Sequence, residues 1–231
     1  MIKHLKLYHY PVTRSARVKW LLHELVGDAF EVERVELYAG AQYSSAFKAM
    51  NPNHNVPVLE ITWKSGEPQV MLESAAMVAF LADAYPEKAL APPRGASAQR
   101  ADYLHMLHFG STWMDMMLWQ IRIHEHVLAE AERDARTIAR YRAKFVEEVE
   151  PQLAARLEKA PYICGEDFSA ADCVVGHSVF WGRGYGLCST PALKAYLARL
   201  AQRPAFQAAF SDAKDFSLAP PTASLGARFT G

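Results

Sequence analysis

Hydrophobic positions in the first 85 residues repeat with a period of two in some segments and of about 3.6 in others. Strands are predicted where apolar residues alternate or form short runs, over residues 5–10, 30–35, 56–63 and 69–72. Amphipathic helices are predicted over residues 15–25, 44–50 and 74–85. The order β-α-β-α-β-β-α is typical of a small α/β domain with a mixed sheet.

The pattern changes after this region. Prolines and a glycine follow closely, at Pro86, Pro92, Pro93 and Gly95, and such a stretch cannot continue a helix. Beyond it the apolar residues keep helical spacing, over residues 97–128, 134–157, 169–181, 191–203 and 204–213. We therefore predict an α/β domain at 1–85, a linker at 86–96, an all-α domain at 97–216 and a C-terminal tail at 217–231, either mobile or folded as a flap.

Two segments of the first domain suggest a binding site. Val56-Pro57-Val58 places a proline between two branched apolar residues. Proline gives a sheet no N–H, so this segment belongs at a strand start, where a cis Val56–Pro57 bond would expose the Val56 backbone for pairing. Ser74, at the start of the next helix, offers a hydroxyl and free backbone N–H groups to a carboxylate.

A third motif, Phe168-Ser169-Ala170-Ala171-Asp172, has the spacing of a capping box. In that motif a serine and an acidic residue satisfy free N–H groups at a helix start. We interpret it as a folding device of the helical domain.

Composition narrows the class of protein. The chain has 231 residues, 51% of them hydrophobic, and 25 basic against 25 acidic residues. This balance favours neither nucleic acid nor an anionic membrane as a partner. The cysteines Cys164, Cys173 and Cys188 form no Cys-x-x-Cys pair, which favours a reducing compartment over a disulfide framework or a zinc site. With no apolar leader and no membrane-length apolar run, we expect a cytoplasmic protein.

Four motifs together resemble the soluble (cytosolic) glutathione S-transferase family: Asn51-Pro52-Asn53-His54-Asn55-Val56-Pro57-Val58-Leu59, Glu73-Ser74-Ala75-Ala76-Met77, Phe168-Ser169-Ala170-Ala171-Asp172 and Arg203-Pro204-Ala205-Phe206. The resemblance covers nearly the whole chain. It implies a thioredoxin-like α/β N-terminal domain with a mixed sheet and an all-α C-terminal domain. Where the family usually has Gly followed by Lys or Gln, this chain has His54 and Asn55.

The resemblance implies glutathione as co-substrate, and the residues suit its separate parts. The backbone of Val56 beside Pro57 would pair with the cysteinyl unit, as an added strand does. Ser74 would take the γ-glutamyl carboxylate at a helix N-terminus and Glu73 the neighbouring ammonium. Asn55 would reach the glycyl end.

Three hydroxyl groups compete for the role of thiolate donor. A free thiol has a pKa of about 8.5, so ionisation at neutral pH needs a nearby donor. The resemblance to family members of bacterial type, with Ser or Thr in the active-site loop, assigns this role to Thr13. Tyr8 in the first strand and Ser15, the predicted N-cap of the first helix, are the alternatives, and Arg14 or Arg17 could add positive charge. The loop has no cysteine, which disfavours family branches that form mixed disulfides with glutathione.

Apolar, aromatic and sulfur-containing side chains recur on the long predicted helix and again near residue 181. Such a stripe is more often core than pocket, but part of it would suit a small hydrophobic electrophile. The candidate pocket residues are Tyr103, Met106, Phe109, Trp113, Met117 and Trp181. The nine histidines show no metal-ligand spacing, so we expect no metal.

The sequence therefore predicts a glutathione transferase that conjugates small hydrophobic electrophiles. The alternatives are a non-catalytic member that binds glutathione or hydrophobic ligands or serves as a scaffold, and a glutathione-dependent peroxidase or isomerase. The resemblance further implies a role in detoxification and a homodimer, in which Asp102 would face the partner's site.

Overall fold

The computed structural model describes residues 1–216, so the predicted tail at 217–231 lies outside the described residues. The described chain forms two units. The first contains residues 1–91 and 202–216, and the second contains residues 92–201.

The first unit is built on a four-stranded sheet of order β2-β1-β3-β4. Its strands are β1 (Ile2–His9), β2 (Glu31–Arg34), β3 (Val58–Trp63) and β4 (Gln69–Met71). Strand β1 runs parallel to β2 and antiparallel to β3, which is antiparallel to β4. Helices α1 (Ser15–Val26), α2 (Ser45–Met50) and α3 (Ser74–Ala84) complete the order β-α-β-α-β-β-α. The predicted mixed sheet of a thioredoxin-like domain is therefore confirmed.

Strand β2 forms an edge of this sheet, and all four of its residues are exposed. Lys6 on β1 pairs with Glu31 at 2.9 Å and with Glu33 at 2.7 Å, so charged side chains cover this edge. Val32 is 39% exposed, whereas Val35, just past the strand, is 4% exposed. Of the alternating apolar residues Val32 and Val35, only Val35 therefore packs into the core. Charge along an exposed edge discourages pairing with other chains.

The segment 202–216 packs against α1 and so belongs to the first unit. Its helix α10 (Pro204–Ala209) brings Phe206 edge-on to Trp20, with ring centroids 4.9 Å apart. Trp20 is fully buried by this contact. The sequence pattern predicts these residues as part of the helical domain, because helical periodicity shows which face of a helix is apolar but not which neighbour covers it.

The second unit is helical. Its helices are α4 (Ala98–His108), α5 (Asp115–Arg122), α6 (Ala135–Lys144), α7 (Glu150–Leu157), α8 (Ala170–Gly184) and α9 (Pro191–Ala201). Turns of π-helix over residues 109–114, 123–127 and 145–149 extend α4, α5 and α6. The chain from α4 to residue 127 is therefore one helical segment, close to the predicted range 97–128, and the predicted all-α architecture is confirmed.

Asp172 organises the start of α8. One carboxylate oxygen accepts the backbone N–H of Ser169 at 2.9 Å, which is the capping-box contact expected from the sequence. The other accepts the backbone N–H of Ile163 and the hydroxyl of Tyr196. Burial raises the pKa of Asp172, although these hydrogen bonds act in the opposite direction. The motif therefore joins three segments of the second unit.

Candidate functional site

The loop between β1 and α1 presents one partly exposed hydroxyl, that of Thr13. Val12 turns the chain with a φ of 63°, in the left-handed region that branched residues rarely adopt. The Thr13 hydroxyl donates to the carbonyl of Tyr10 at 2.8 Å, and Oγ1 also lies 2.8 Å from Oγ of Ser15. Both contacts hold Thr13 at the start of α1, where the helix presents free backbone N–H groups.

Ser15 is the first residue of α1 and is completely buried. The prediction that it is the N-cap was wrong, because Arg14 occupies that position and makes no side-chain cap. The Ser15 hydroxyl turns back toward the loop instead. It accepts the N–H of Tyr10 at 3.2 Å and lies 2.7 Å from Nδ1 of His9. A bound thiol cannot approach this oxygen directly.

Tyr8 lies on β1 and is 7% exposed. Its ring meets Phe47 edge-on, with centroids 6.2 Å apart, inside a hydrophobic cluster that also contains Tyr10 and Val56. Burial raises the pKa of the Tyr8 phenol. Tyr8 therefore packs as a strand aromatic, and the same cluster connects the Thr13 loop to the segment around Val56.

The Val56–Pro57 peptide bond is cis, as the sequence analysis expected, and β3 begins directly after it. Asn51 shapes the preceding turn and is 1% exposed. Its amide donates to the carbonyl of Asn55 at 2.8 Å and to the side-chain oxygen of Asn55 at 2.9 Å. Asn55 itself is exposed, so Asn51 fixes the side chain predicted to reach the glycyl end of glutathione.

Ser74 is the first residue of α3 and is 8% exposed, while Glu73 before it is exposed. Glu73 has a φ of 70°, an unusual conformation for a residue with a side chain. A guanidinium nitrogen of the buried Arg17 lies 3.5 Å from Oγ of Ser74. The α3 N-terminus thus combines free N–H groups, a hydroxyl and a nearby cation, a combination that suits a carboxylate.

Three residues not named as candidates from the sequence, His9, Lys19 and Asp212, complete the loop network. Nε2 of His9 lies 3.0 Å from Oδ2 of Asp212, and Nζ of Lys19 lies 2.6 Å from the same oxygen. His9 follows Leu5 and Leu7 in the inward-facing phase of β1. A polar residue in a buried phase requires a partner, and this was the available signal for His9. No local pattern marked Asp212.

The predicted pocket residues of the second unit divide by exposure. Tyr103, Met106 and Met117 are at most 2% exposed and pack in its core. Phe109 and Trp181 are partly exposed, and Trp113 is 37% exposed. These latter three side chains are accessible to a small molecule.

Asp102 lies on α4 and is held by an ion pair within its own unit. Both of its carboxylate oxygens accept from Arg156, at 2.7 and 2.9 Å. The Arg156 hydrogen bonds hold the pKa of Asp102 below its usual value. The carboxylate is therefore ionised and oriented toward α7.

Within residues 1–216, no group of three or more His, Cys, Asp or Glu side chains is arranged to hold a metal ion. In the same range, no helix has both the length and the apolar character needed to cross a bilayer.

Comparisons with known proteins agree with this architecture. Residues 3–83 match the family model for the glutathione S-transferase N-terminal domain, and residues 116–204 match the model for the C-terminal domain. Disulfide-bond oxidoreductase YfcG of Escherichia coli (strain K12) is 27% identical over 203 residues, which are 86% of this chain and 91% of that protein. Glutathione S-transferase 3 of Zea mays is 27% identical over 214 residues, 88% of this chain and 91% of that protein.

Solved structures give the same result. A glutathione transferase from Methylococcus capsulatus has a TM-score of 0.77 and 28% identity, covering 92% of this chain and all of that one. A glutathione transferase from Burkholderia graminis, solved with two glutathione molecules bound per subunit, has a TM-score of 0.79 and 25% identity, covering 92% of this chain and 90% of that one.

Proposed function

Because the chain belongs to the glutathione S-transferase family, we propose that it binds glutathione in its first unit and transfers the thiolate to a small hydrophobic electrophile. The observation that carries this proposal is the placement of the Thr13 hydroxyl. Of the three candidate donors, Thr13 alone is partly exposed, whereas Tyr8 is 7% exposed and Ser15 is completely buried. This exposure supports Thr13 as the residue that would contact a bound sulfur.

The tripeptide would lie along the remaining elements of the first unit. The γ-glutamyl carboxylate would sit at the α3 N-terminus, on Ser74 and its backbone N–H groups, with Glu73 taking the ammonium. The cysteinyl backbone would pair with Val56 beside the cis Pro57. Asn55, fixed by its hydrogen bonds to Asn51, would receive the glycyl end.

The thiol must ionise to react, since the thiolate is the nucleophile. A hydroxyl that donates to the sulfur stabilises the anion by about 1.5–3 kcal/mol, the range of hydrogen bonds to charged groups. That range corresponds to about one to two units of thiol pKa. In this proposal Thr13 makes this contribution.

We propose that the electrophile binds to the exposed aromatic side chains of the second unit, Phe109, Trp113 and Trp181. Tyr103, Met106 and Met117 serve as the packing beneath them. We also propose a homodimer, as is usual in the family, and a cytoplasmic location. In that dimer Asp102 would act as an ionised group fixed by Arg156.

The test combines retention on immobilised glutathione with conjugation to a simple aryl halide. Thr13→Val preserves the shape of the side chain and removes the hydroxyl. It should retain glutathione binding and lower kcat/KM about tenfold to hundredfold, the loss expected for one hydrogen bond to a charged group. Thr13→Ser should keep most of the activity, and Tyr8→Phe should change it little. Equal turnover in Thr13→Val and the unaltered protein would contradict the proposal.

A second candidate is glutathione-dependent disulfide chemistry, which the name of the Escherichia coli relative favours. A mixed disulfide on this chain has little support. Burial raises the pKa of the Cys164 thiol to about 12 and also raises that of Cys188, and a protonated thiol attacks disulfides poorly. Replacing the aryl halide by a small disulfide distinguishes the two candidates.

A further inference from the structure

Four groups form a continuous hydrogen-bonded chain from the interior to the Thr13 loop. Nε2 of His9 is 3.0 Å from Oδ2 of Asp212, and Nδ1 of His9 is 2.7 Å from Oγ of Ser15. Oγ of Ser15 is 2.8 Å from Oγ1 of Thr13. His9 and Ser15 are six residues apart, whereas Asp212 is 203 residues from His9 and reaches it only in the folded chain. The chain ends at the one hydroxyl of the loop that is partly exposed.

The carboxylate sets the direction of the hydrogen bonds that His9 makes. Burial acts to raise the pKa of Asp212, but the hydrogen bonds from His9 and Lys19 outweigh it and lower the value to about 2. An ionised carboxylate can only accept, so Nε2 of neutral His9 carries the hydrogen and Nδ1 is a free acceptor. Ser15 can then donate to Nδ1 at 2.7 Å, a shorter contact than its alternative bond to the carbonyl of Tyr10 at 3.1 Å. The Ser15 oxygen can accept from Thr13 at 2.8 Å.

This direction makes the outer face of Thr13 an acceptor in the resting protein. Its own hydrogen points inward, to Ser15 or to the alternative acceptor, the carbonyl of Tyr10. A thiol S–H that approaches Thr13 therefore meets an oxygen lone pair.

The charges around His9 keep it neutral until a proton is supplied. Burial lowers the pKa of His9, Asp212 opposes this, and Lys19 and Arg34 reinforce it. Lys19 shares the same Asp212 oxygen, and Arg34 is paired with Glu36 and Asp215. His9 is thus a buried acceptor with an anion already on its far side, the arrangement that stabilises an imidazolium when one forms.

We propose that His9 accepts the proton of the bound glutathione thiol through Thr13 and Ser15, with Asp212 holding the imidazole in the accepting tautomer. This inference rests on the proposed function. The S–H bond breaks and its electron pair stays on sulfur, while the proton moves to Oγ1 of Thr13. The hydrogen of Thr13 passes to Ser15, and that of Ser15 passes to Nδ1 of His9.

The hydrogen bonds from the sulfur to His9 are reversed after this transfer, whereas the one from Nε2 of His9 to Asp212 keeps its direction. Thr13 now donates to the thiolate, and doubly protonated His9 donates to Ser15 and to Asp212. No other reactant is consumed. When the sulfur has bonded to the electrophile, the proton leaves His9 through the same hydroxyls, to solvent in a substitution or to the conjugate in an addition. Thr13 touches the substrate, whereas Ser15, His9 and Asp212 act through it as positioning residues.

The transfer makes a specific prediction about titration. Because coupling between two sites is reciprocal, an ionised thiol on Thr13 must raise the pKa of His9. We would follow the His9 ring by NMR from low to neutral pH in the protein saturated with glutathione or with S-methylglutathione, which has no thiol proton. Glutathione should raise the pKa of His9 by about one unit, equivalent to about 1.4 kcal/mol, and S-methylglutathione should not.

Variants separate this role from a purely structural one. Thr13→Val should abolish the difference between the two ligands and Thr13→Ser should retain it. Lys19→Met removes a competing cation and should raise the pKa of His9, whereas Asp212→Asn removes the anion and should lower it. The acid limb of kcat/KM should move in these same opposite directions. The control is His23→Gln, which removes another histidine of the first unit paired with an aspartate, Asp28, and should leave the acid limb unchanged.

Two failures are distinguishable. If calorimetry detects no glutathione binding, the proposed function fails. If glutathione binds and its thiol ionises, yet both ligands leave the pKa of His9 at the same value, the relay is overturned while the proposed function stands. Lys19→Met and Asp212→Asn variants that remain folded but lose activity without moving the acid limb would also overturn the relay.

Discussion

Arg203 donates to both carboxylate oxygens of Glu24, from Nε at 2.7 Å and from Nη2 at 2.8 Å. The pair joins α1 to the segment before α10 across 179 residues of sequence. Glu24 also accepts the indole N–H of Trp20 at 3.0 Å. The Glu24 carboxylate therefore binds both the buried indole ring of Trp20 and Arg203, which precedes α10.

Replacing Arg203 by Lys should destabilise the protein. Lysine keeps the charge but cannot make two parallel hydrogen bonds, and Glu24 is only 11% exposed at its side chain. We expect a loss of about 1–2 kcal/mol in the free energy of unfolding, less than for a fully buried pair because Arg203 is partly solvated. Urea unfolding measures the change. Arg136→Ala, at a side chain that is 94% exposed, is the control, and an equal effect at both sites would contradict the prediction.

The ion pair of Asp212 should make stability depend on acid pH. Its pKa is about 2 in the folded protein, below the ordinary value of about 3.9. A depressed folded-state pKa contributes stability above the unfolded value, and this contribution is lost as the pH falls toward the folded value. Asp212→Asn should therefore cost about 1–2 kcal/mol at pH 7 after allowance for solvent screening, and this cost should disappear as the pH falls through the folded-state pKa.

Unfolding of both proteins by urea at several pH values checks this expectation. Asp28→Asn is the matched control, since Asp28 contacts His23 at 3.1 Å but its side chain is 95% exposed. A difference between the Asp212 variant and the unaltered protein that stayed constant from neutral to acid pH would show that the carboxylate is not stabilised by its ion pair.

Gly110 marks a close approach between two helical segments. A Cβ at this position would lie 3.0 Å from Cγ2 of Val175 and 3.1 Å from Cγ1 of Val174 on α8. Gly110→Ala should cost about 1–3 kcal/mol by overpacking. Gly184→Ala, at the open end of α8 where no atom lies within 4 Å of an added Cβ, should be neutral or stabilising by up to about 1 kcal/mol. Thermal unfolding of the pair checks the contrast, and equal melting temperatures would refute it.

Trp113 and Met117 lie one helical turn apart but should respond differently to substitution. Met117 is fully buried, so Met117→Ala should lower the free energy of unfolding by about 2–4 kcal/mol. The exposed Trp113 ring lies under Nζ of Lys144 at 4.8 Å. Trp113→Leu should leave stability nearly unchanged and raise KM for the electrophile, with KM for glutathione unaltered. Steady-state kinetics with both substrates varied distinguishes these outcomes. An unchanged KM for the electrophile would show that Trp113 does not contact it.

Local features were determined by the sequence alone. The change of hydrophobic period from two to about 3.6 predicted the element order of the first unit, because each period reflects a single backbone geometry. The sequence likewise predicted the proline directly before β3, Ser74 at the start of α3 and the capping box of Asp172. All of these depend on residues close together in the chain.

The tertiary structure decided which distant groups meet. Ser15 was expected to cap α1, but its hydroxyl turns inward, where Nδ1 of the buried His9 lies 2.7 Å away and the carbonyl of Tyr10 lies 3.1 Å away. Asp212 lies in a segment whose periodicity predicts a helix and nothing about its neighbour, yet packing of α10 on α1 brings it to His9 and Lys19. The sequence therefore determined where Thr13 stands in the loop. In the proposed relay, the direction in which this hydroxyl donates depends on the Asp212 carboxylate, which only the folded chain brings within reach of His9.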